Sequence, residues 1–183
     1  PKPILPILPS GGQSAWKNPY QDVTDSSSYY EAVCYVTEKG LMNGTSASTF
    51  SPDAAMTRAM MVTILWRMEK EPAALKSNFT DLTADWYRTA VDWAAETGVV
   101  NGVGNGKFAP NATLSLEQLI TILYRYAENK GYNVSKSASL DSFTDGSAVS
   151  AYAKPAMQWA VGMNFLSGNT LTPGAPASRA QIA

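Results

Sequence analysis

Histidine is absent from the 183-residue chain, and with it go every Ser/His or Cys/His nucleophile pair, every imidazole metal ligand and any histidine pH switch. Cysteine is nearly absent. The single Cys34 cannot close an internal disulfide, and with no base or cation nearby in the sequence to lower its pKa it reads as a small buried hydrophobe. An excess of charge is missing too. Fourteen Lys plus Arg against fifteen Asp plus Glu leave a formal charge of -1, so there is no broad field to hold nucleic acid or an anionic bilayer. No apolar run approaches the ~20 residues of a membrane-spanning helix, so membrane insertion is not expected. The opening Pro1 to Pro9 lacks the basic start and apolar centre of a signal peptide. Asp22 and Asp25 belong to no Asp-x-Asp-x-Asp-Gly loop, which argues against calcium, and no metal or cofactor is implied.

What is present is a repeat. From Tyr20 the chain reads Tyr-Gln-Asp-Val-Thr, a helical pattern to Gly40, Leu-Met-Asn-Gly44, Phe50-Ser-Pro52, Thr57-Arg-Ala and an apolar helix. From Phe79 the order returns as Phe-Thr-Asp-Leu-Thr, a helix to Gly98, Val-Val-Asn-Gly102, Phe108-Ala-Pro110, Ser115-Leu-Glu and a second apolar helix. A third copy runs from Phe143-Thr-Asp145 through Phe165-Leu-Ser-Gly168 and Leu171-Thr-Pro173 to Ser178-Arg-Ala180.

Apolar residues at i, i+3, i+4 and i+7 mark the first helix of each unit: Tyr29, Ala32, Val33, Val36; Tyr87, Ala90, Val91, Ala94; Ala153, Ala156, Met157, Ala160. The second helix shows Met61, Val62, Leu65 and Met68, then Leu119, Ile120, Leu123 and Tyr126. One such helix pair cannot bury both apolar faces alone, so the pattern predicts an all-α bundle of three helix-loop-helix repeats with pseudo-threefold symmetry. The expected divisions are a Pro/Gly-rich linker over 1–17 and repeats over 18–76, 77–140 and an incomplete 141–183. Glu71 to Asn78 and Asn129 to Asp141 are read as connecting linkers, the second mobile. With only Ser178 to Ala183 left for its last helix, the bundle should lose one apolar wall, unless the natural chain continues or another segment covers it.

The order aromatic-x-Asp, helix ending in Gly, Asn-Gly, Phe-x-Pro, Thr-Arg-Ala, helix resembles the S-layer homology domain family over about Asn18 to Ala183. The resemblance implies a three-pronged, noncatalytic module on the bacterial cell surface. Its grooves would bind a secondary cell wall polysaccharide, often carrying pyruvylated sugars that present a carboxylate, and it would be fused to or serve another secreted domain. The competing readings are a protein-interaction or self-assembly scaffold and the anchoring part of a wall-acting enzyme. The family's Thr-Arg-Ala-Glu stands here as Thr57-Arg58-Ala59-Met60, Ser115-Leu116-Glu117-Gln118 and Ser178-Arg179-Ala180-Gln181. Repeat two lacks the arginine, and Asn164 replaces Gly40 and Gly98.

Thr57, Ser115 and Ser178 are suited to cap the second helices, with complete capping boxes at Ser115/Gln118 and Ser178/Gln181. Capping does not explain Arg58 and Arg179. A cation in the first turn opposes the helix dipole, so free backbone donors and guanidinium are expected to converge on an anion, with Arg gripping a carboxylate through two parallel bonds. Arg58, Arg179, Thr57 and Ser178 therefore head the ligand-binding candidates. Asp22, Asp81 and Asp145 join them, although each has the position of a turn-capping Asx residue. Three equivalent aspartates argue against a unique catalytic pair. Trp86, beside the apolar stripe, is the aromatic best placed to meet a sugar, whereas Trp66 and Trp93 belong to the core. Gly44 and Gly102 complete the set as turn residues suited to positive φ. Asn43, Asn78, Asn111 and Asn133 begin Asn-x-Ser/Thr sequons, which in a bacterial module read as turns.

Overall fold

A computed structural model describes residues 16–183; the Pro1 to Gly12 spacer lies outside the described residues. The described residues form α1 (Tyr30–Glu38), α2 (Arg58–Met68), α3 (Asp85–Glu96), α4 (Leu116–Asn129), a 3-10 turn (Gly146–Ala148), α5 (Lys154–Gly162) and α6 (Arg179–Ile182). They contain no extended sheet, only isolated bridges.

The three repeats close around an axis through a ring of backbone hydrogen bonds. Met56 N–H donates to Ala177 O (2.8 Å), Ala177 N–H to Leu114 O (2.9 Å) and Leu114 N–H to Met56 O (2.9 Å). All three residues are fully buried. Each has its neighbours bridged to the next repeat, as Ala55 to Ser178, Thr57 to Thr113 and Ser115 to Pro176. The loops before the second helices thus satisfy one another's backbone groups, which buried backbone requires.

The helix pairs form between repeats. α2 of the first repeat packs along α3 of the second, and α4 of the second along α5 of the third. Ala90, Trp93, Ala156 and Trp159 are buried in these contacts. Repeats one and two are also joined at their outer ends, where Tyr126 O–H donates to Glu69 Oε1 (2.5 Å) and Lys130 Nζ pairs with Glu69 Oε2 (2.7 Å).

In the remaining prong, α6 spans only Arg179–Ile182. Ile182 and Ala183 rest on the first-repeat cluster of Val33, Val36, Phe50 and Met56. The α1 positions matching Ala90 and Trp93 are Ala32 and Tyr35, and both are only half-buried.

The sequence reading needs correction in one place here. Met68, assigned to a core stripe, is 38% exposed because it ends α2. The linkers are stitched to helices: Trp66 Nε1 donates to Pro72 O (2.8 Å), and both the N–H and hydroxyl of Ser77 donate to buried Asp92. In the second linker Ala138 N–H donates to Gln158 O of α5 (3.0 Å). Asn164 fills the place of Gly40 and Gly98 with the same left-handed backbone (φ 60°, against 67° and 72°), a conformation asparagine tolerates better than most residues.

Candidate functional site

Each second helix begins the same way. Thr57, Ser115 and Ser178 accept from the third helical N–H, that of Met60, Gln118 and Gln181 respectively. The first two N–H groups are taken by the loop of the neighbouring repeat: Arg58 and Ala59 by Ala112 O and Pro110 O, Leu116 and Glu117 by Ala175 O and Pro173 O, Arg179 and Ala180 by Ala54 O and Pro52 O. The expectation of free amide donors at these helix starts is therefore corrected. Threefold closure consumes them, and the guanidinium groups are the cationic donors left at these helix starts.

Those groups are held in matching cradles. Arg179 Nε donates to Phe50 O (2.9 Å), Nη2 donates to Asn43 O (2.6 Å), and the guanidinium lies 4.6 Å from the centre of the Phe50 ring. Arg58 repeats this one repeat on, with Phe108 O (2.8 Å), Asn101 O (2.8 Å) and the Phe108 ring at 4.7 Å. Arg179 is 6% exposed and Arg58 half-buried. No carboxylate lies within 4.0 Å of either, since the ion pairs among the described residues involve Arg67, Arg88 and Lys130. Burial pulls both guanidinium groups below their ordinary pKa, while Asp81 beside Arg58, and Tyr20 and Asp22 beside Arg179, act in the other direction. Arginine stays cationic throughout. Among the described residues, the sealed polar side-chain atoms without a partner are Thr37 Oγ1 and Trp159 Nε1, and no arginine nitrogen is among them.

The aspartates serve the same cradles from behind. Asp22 accepts from Phe50 and Ser51 N–H (2.8 and 2.7 Å), Asp81 from Phe108 and Ala109 (2.9 and 2.7 Å), and Asp145 from Leu171 and Thr172 (2.8 and 2.7 Å). The second residue of each pair is left-handed, at φ 57°, 58° and 49° for Ser51, Ala109 and Thr172. Each carboxylate therefore clamps a strained Phe/Leu-x-Pro corner far along the chain, rather than a turn of its own segment. Burial opposes the charge at Asp22 and Asp81, but the backbone N–H bonds outweigh it and hold both carboxyls below the usual range. At Asp145 the N–H bonds from Leu171 and Thr172 dominate outright.

Gly44 and Gly102 earn their places by space, not by positive φ. A Cβ at Gly44 would sit 2.5 Å from Tyr20 Cε1 and Ser46 O, and one at Gly102 2.6 Å from Phe79 Cε1. The positive-φ residue of the three turns is Gly168.

Around Arg179 these parts enclose a groove of about 260 Å³. Its walls are the 41–44 turn and the face of α2 carrying Met60, Thr63, Ile64 and Arg67, and Trp86 reaches in from α3. Trp86 is 53% exposed and braced edge-on by Tyr87 (4.9 Å, 80°). Arg67 brings a second cation, its Nη1 donating to Leu41 O (3.1 Å). Among the candidates, Arg179, Gly44 and Trp86 thus meet in one place, Asp22 and Ser178 support it, and Arg58, Thr57, Asp81 and Gly102 build the counterpart in the next repeat. Asp145 stands at a third junction without an arginine. Arg67 was missed by the sequence reading, although it recurs as Arg125 at the same position of the second repeat. No group of His, Cys, Asp or Glu suited to a metal occurs among the described residues.

The sequence model of the S-layer homology domain matches residues 19–60, 78–120 and 142–183. The chain belongs to the S-layer homology domain family. Among curated relatives, an endoglucanase of Bacillus sp. (strain KSM-635) is 32% identical over 156 residues, covering 83% of this chain and 16% of that protein. The surface-layer 125 kDa protein of Lysinibacillus sphaericus is 31% identical over 160 residues, covering 84% and 13% respectively. The cellulosome-anchoring protein of Acetivibrio thermocellus is 26% identical over 136 residues, covering 69% and 30%. The chain therefore spans a minor part of each of these three relatives. Domains of this family are noncatalytic modules that hold proteins at the cell surface, and this chain is such an extracellular module. No helix among the described residues is long and apolar enough to cross a membrane.

Proposed function

We propose that this S-layer homology module fastens a secreted protein to the bacterial wall by gripping an acidic secondary cell wall polysaccharide, with a pyruvylated sugar as the recognised unit. The observation that carries the reading is a buried guanidinium, Arg179, with no ion-pair partner, in a groove it shares with Arg67 and Trp86. A cation withdrawn from water is costly unless paired. The carboxylate of a pyruvyl group would supply that pairing, with the exposed Trp86 ring against the sugar face and its indole N–H available to a hydroxyl. Thr63 and Met60 give the groove one polar and one apolar wall contact.

The Arg58 cradle repeats the Arg179 contacts one repeat on and is read as a second site of the same kind, while Leu116 leaves the third without a cation. The chain itself performs no chemistry in this reading; an enzyme or surface-layer domain elsewhere in the host protein is the cargo, as the endoglucanase and surface-layer relatives suggest.

Wall sedimentation is the test. The chain should co-sediment with purified bacterial walls and stay in solution with walls from which the polysaccharide has been extracted. Equal retention on stripped walls would overturn the proposal.

A further inference from the structure

Repeat two differs from the others by more than a missing arginine. Where repeats one and three carry Ala59 and Ala180, it carries Glu117, a carboxylate 8% exposed. It reaches into the third repeat. Glu117 Oε2 accepts from Ser150 N–H (2.9 Å), and Oε1 accepts from the Ser150 hydroxyl (2.7 Å) and the Tyr152 hydroxyl (3.2 Å).

Counting back from Gly102 and Gly168, Trp93 aligns with Trp159 and Trp86 with Tyr152. Tyr152 is therefore the third-repeat counterpart of the groove tryptophan, and it is exposed to the same degree, 54% against 53%. The two rings are fixed by different means. Trp86 lies inside α3, which begins at Asp85, so the helix and Tyr87 hold it. α5 begins only at Lys154, leaving Tyr152 in the preceding turn. Glu117 supplies the missing restraint from α4, the helix that also carries the exposed Gln118 and Arg125. The Arg125 charge is felt at the Tyr152 hydroxyl, against the opposing effects of burial and Glu117.

We propose that Glu117 is a positioning residue that locks Tyr152 as the aromatic wall of a second acidic-sugar groove, the one floored by Arg58. This rests on the glycan reading above. With its hydroxyl tied to Glu117, Tyr152 offers a ring face and no donor, whereas Trp86 can also donate through its indole N–H. The two grooves then recognise the same charged unit with different demands on its hydroxyl groups.

The probe is a pyruvylated hexose methyl glycoside titrated calorimetrically into the full chain. The parent should bind two equivalents and Trp86→Ala one, which isolates the Arg58 groove. In that background Glu117→Ala should weaken binding by about tenfold, the cost of re-ordering one side chain on association. Glu117→Gln keeps an acceptor oxygen for the two hydroxyls, though its amide nitrogen would face Ser150 N–H, and should restore part of the affinity, whereas Glu117→Met, of similar bulk and without an acceptor, should restore none. Tyr152→Ala leaves the Glu117–Ser150 bonds in place and should weaken the same site, so a folding defect in Glu117→Ala does not shelter the idea. Unchanged second-site affinity in Tyr152→Ala, or equal loss at both grooves when Glu117→Ala is made in the parent chain, overturns it. No heat of binding in the parent overturns the glycan reading and this inference with it.

Discussion

The junction at Arg179 and the junction at Leu116 share a backbone and differ in purpose. In both, a Ser caps the second helix, the first two amides donate to the neighbouring loop, and an aspartate clamps a left-handed corner. The side chains part company together. Arg179 stacks on Phe50, while the corresponding pair in repeats two and three is Leu116 and Leu171, buried in one apolar cluster. Folding thus does not need the arginine; the cap, the amide-carbonyl exchange and the aspartate suffice. What the arginine adds at the other two junctions is a cation with no carboxylate in ion-pair contact, buried at Arg179 and half-buried at Arg58.

Placing that charge where the scaffold did without it should have the largest effect. Leu116→Arg puts a cation among aliphatic neighbours, and a loss of about 3 kcal/mol in urea unfolding is expected. Adding Leu171→Phe should recover part of this by restoring a ring for the guanidinium. No recovery would mean that the paired replacement is coincidental. Next comes Arg179→Met, which keeps bulk and removes charge. Loss of a desolvated charge contact is worth about 2 kcal/mol or more, so one of two binding events should vanish in calorimetry. The fold should lose about 1–2 kcal/mol from the unpaired Phe50 and Asn43 carbonyls. Arg58→Met should do the same at the other groove.

How much of this was readable beforehand depends on the range of each interaction. The helix stripes and the three caps follow from residues within a few positions of one another, and the repeat from the return of such short motifs in fixed order. The fate of the first helical amides does not, because their acceptors lie in another repeat and come into reach only once the ring of Met56, Leu114 and Ala177 closes. The aspartates were assigned to local turns for the same reason, although their partners are 26 to 29 residues away. Glu117 gave a sequence signal, a charge where the repeat otherwise has alanine, but its partners emerge only through the α4 and α5 contact.

Acid should separate scaffold from site more gently. The three aspartate carboxyls are all held below their ordinary value of 3.8. Folded carboxylates therefore bind fewer protons than unfolded ones. Their contribution is fully present above that value and is lost as pH falls through the lowered folded pKa. Thermal melts should thus drop below about pH 4, and by nearly the same amount in Arg179→Met, because the clamps rest chiefly on backbone N–H groups and Arg179 is the smallest of the influences on Asp22. A smaller effect is expected for Arg67→Gln. As a half-exposed second cation it should weaken the Arg179 groove by only a few-fold, measurable as a change in salt dependence.

The most direct measurement is the number of acidic-sugar equivalents bound by the chain with one, both or neither of Arg58 and Arg179 replaced by Met. The account predicts two equivalents for the parent, one for each single variant and none for the double variant, all four proteins remaining folded. Two equivalents retained by the double variant would contradict it.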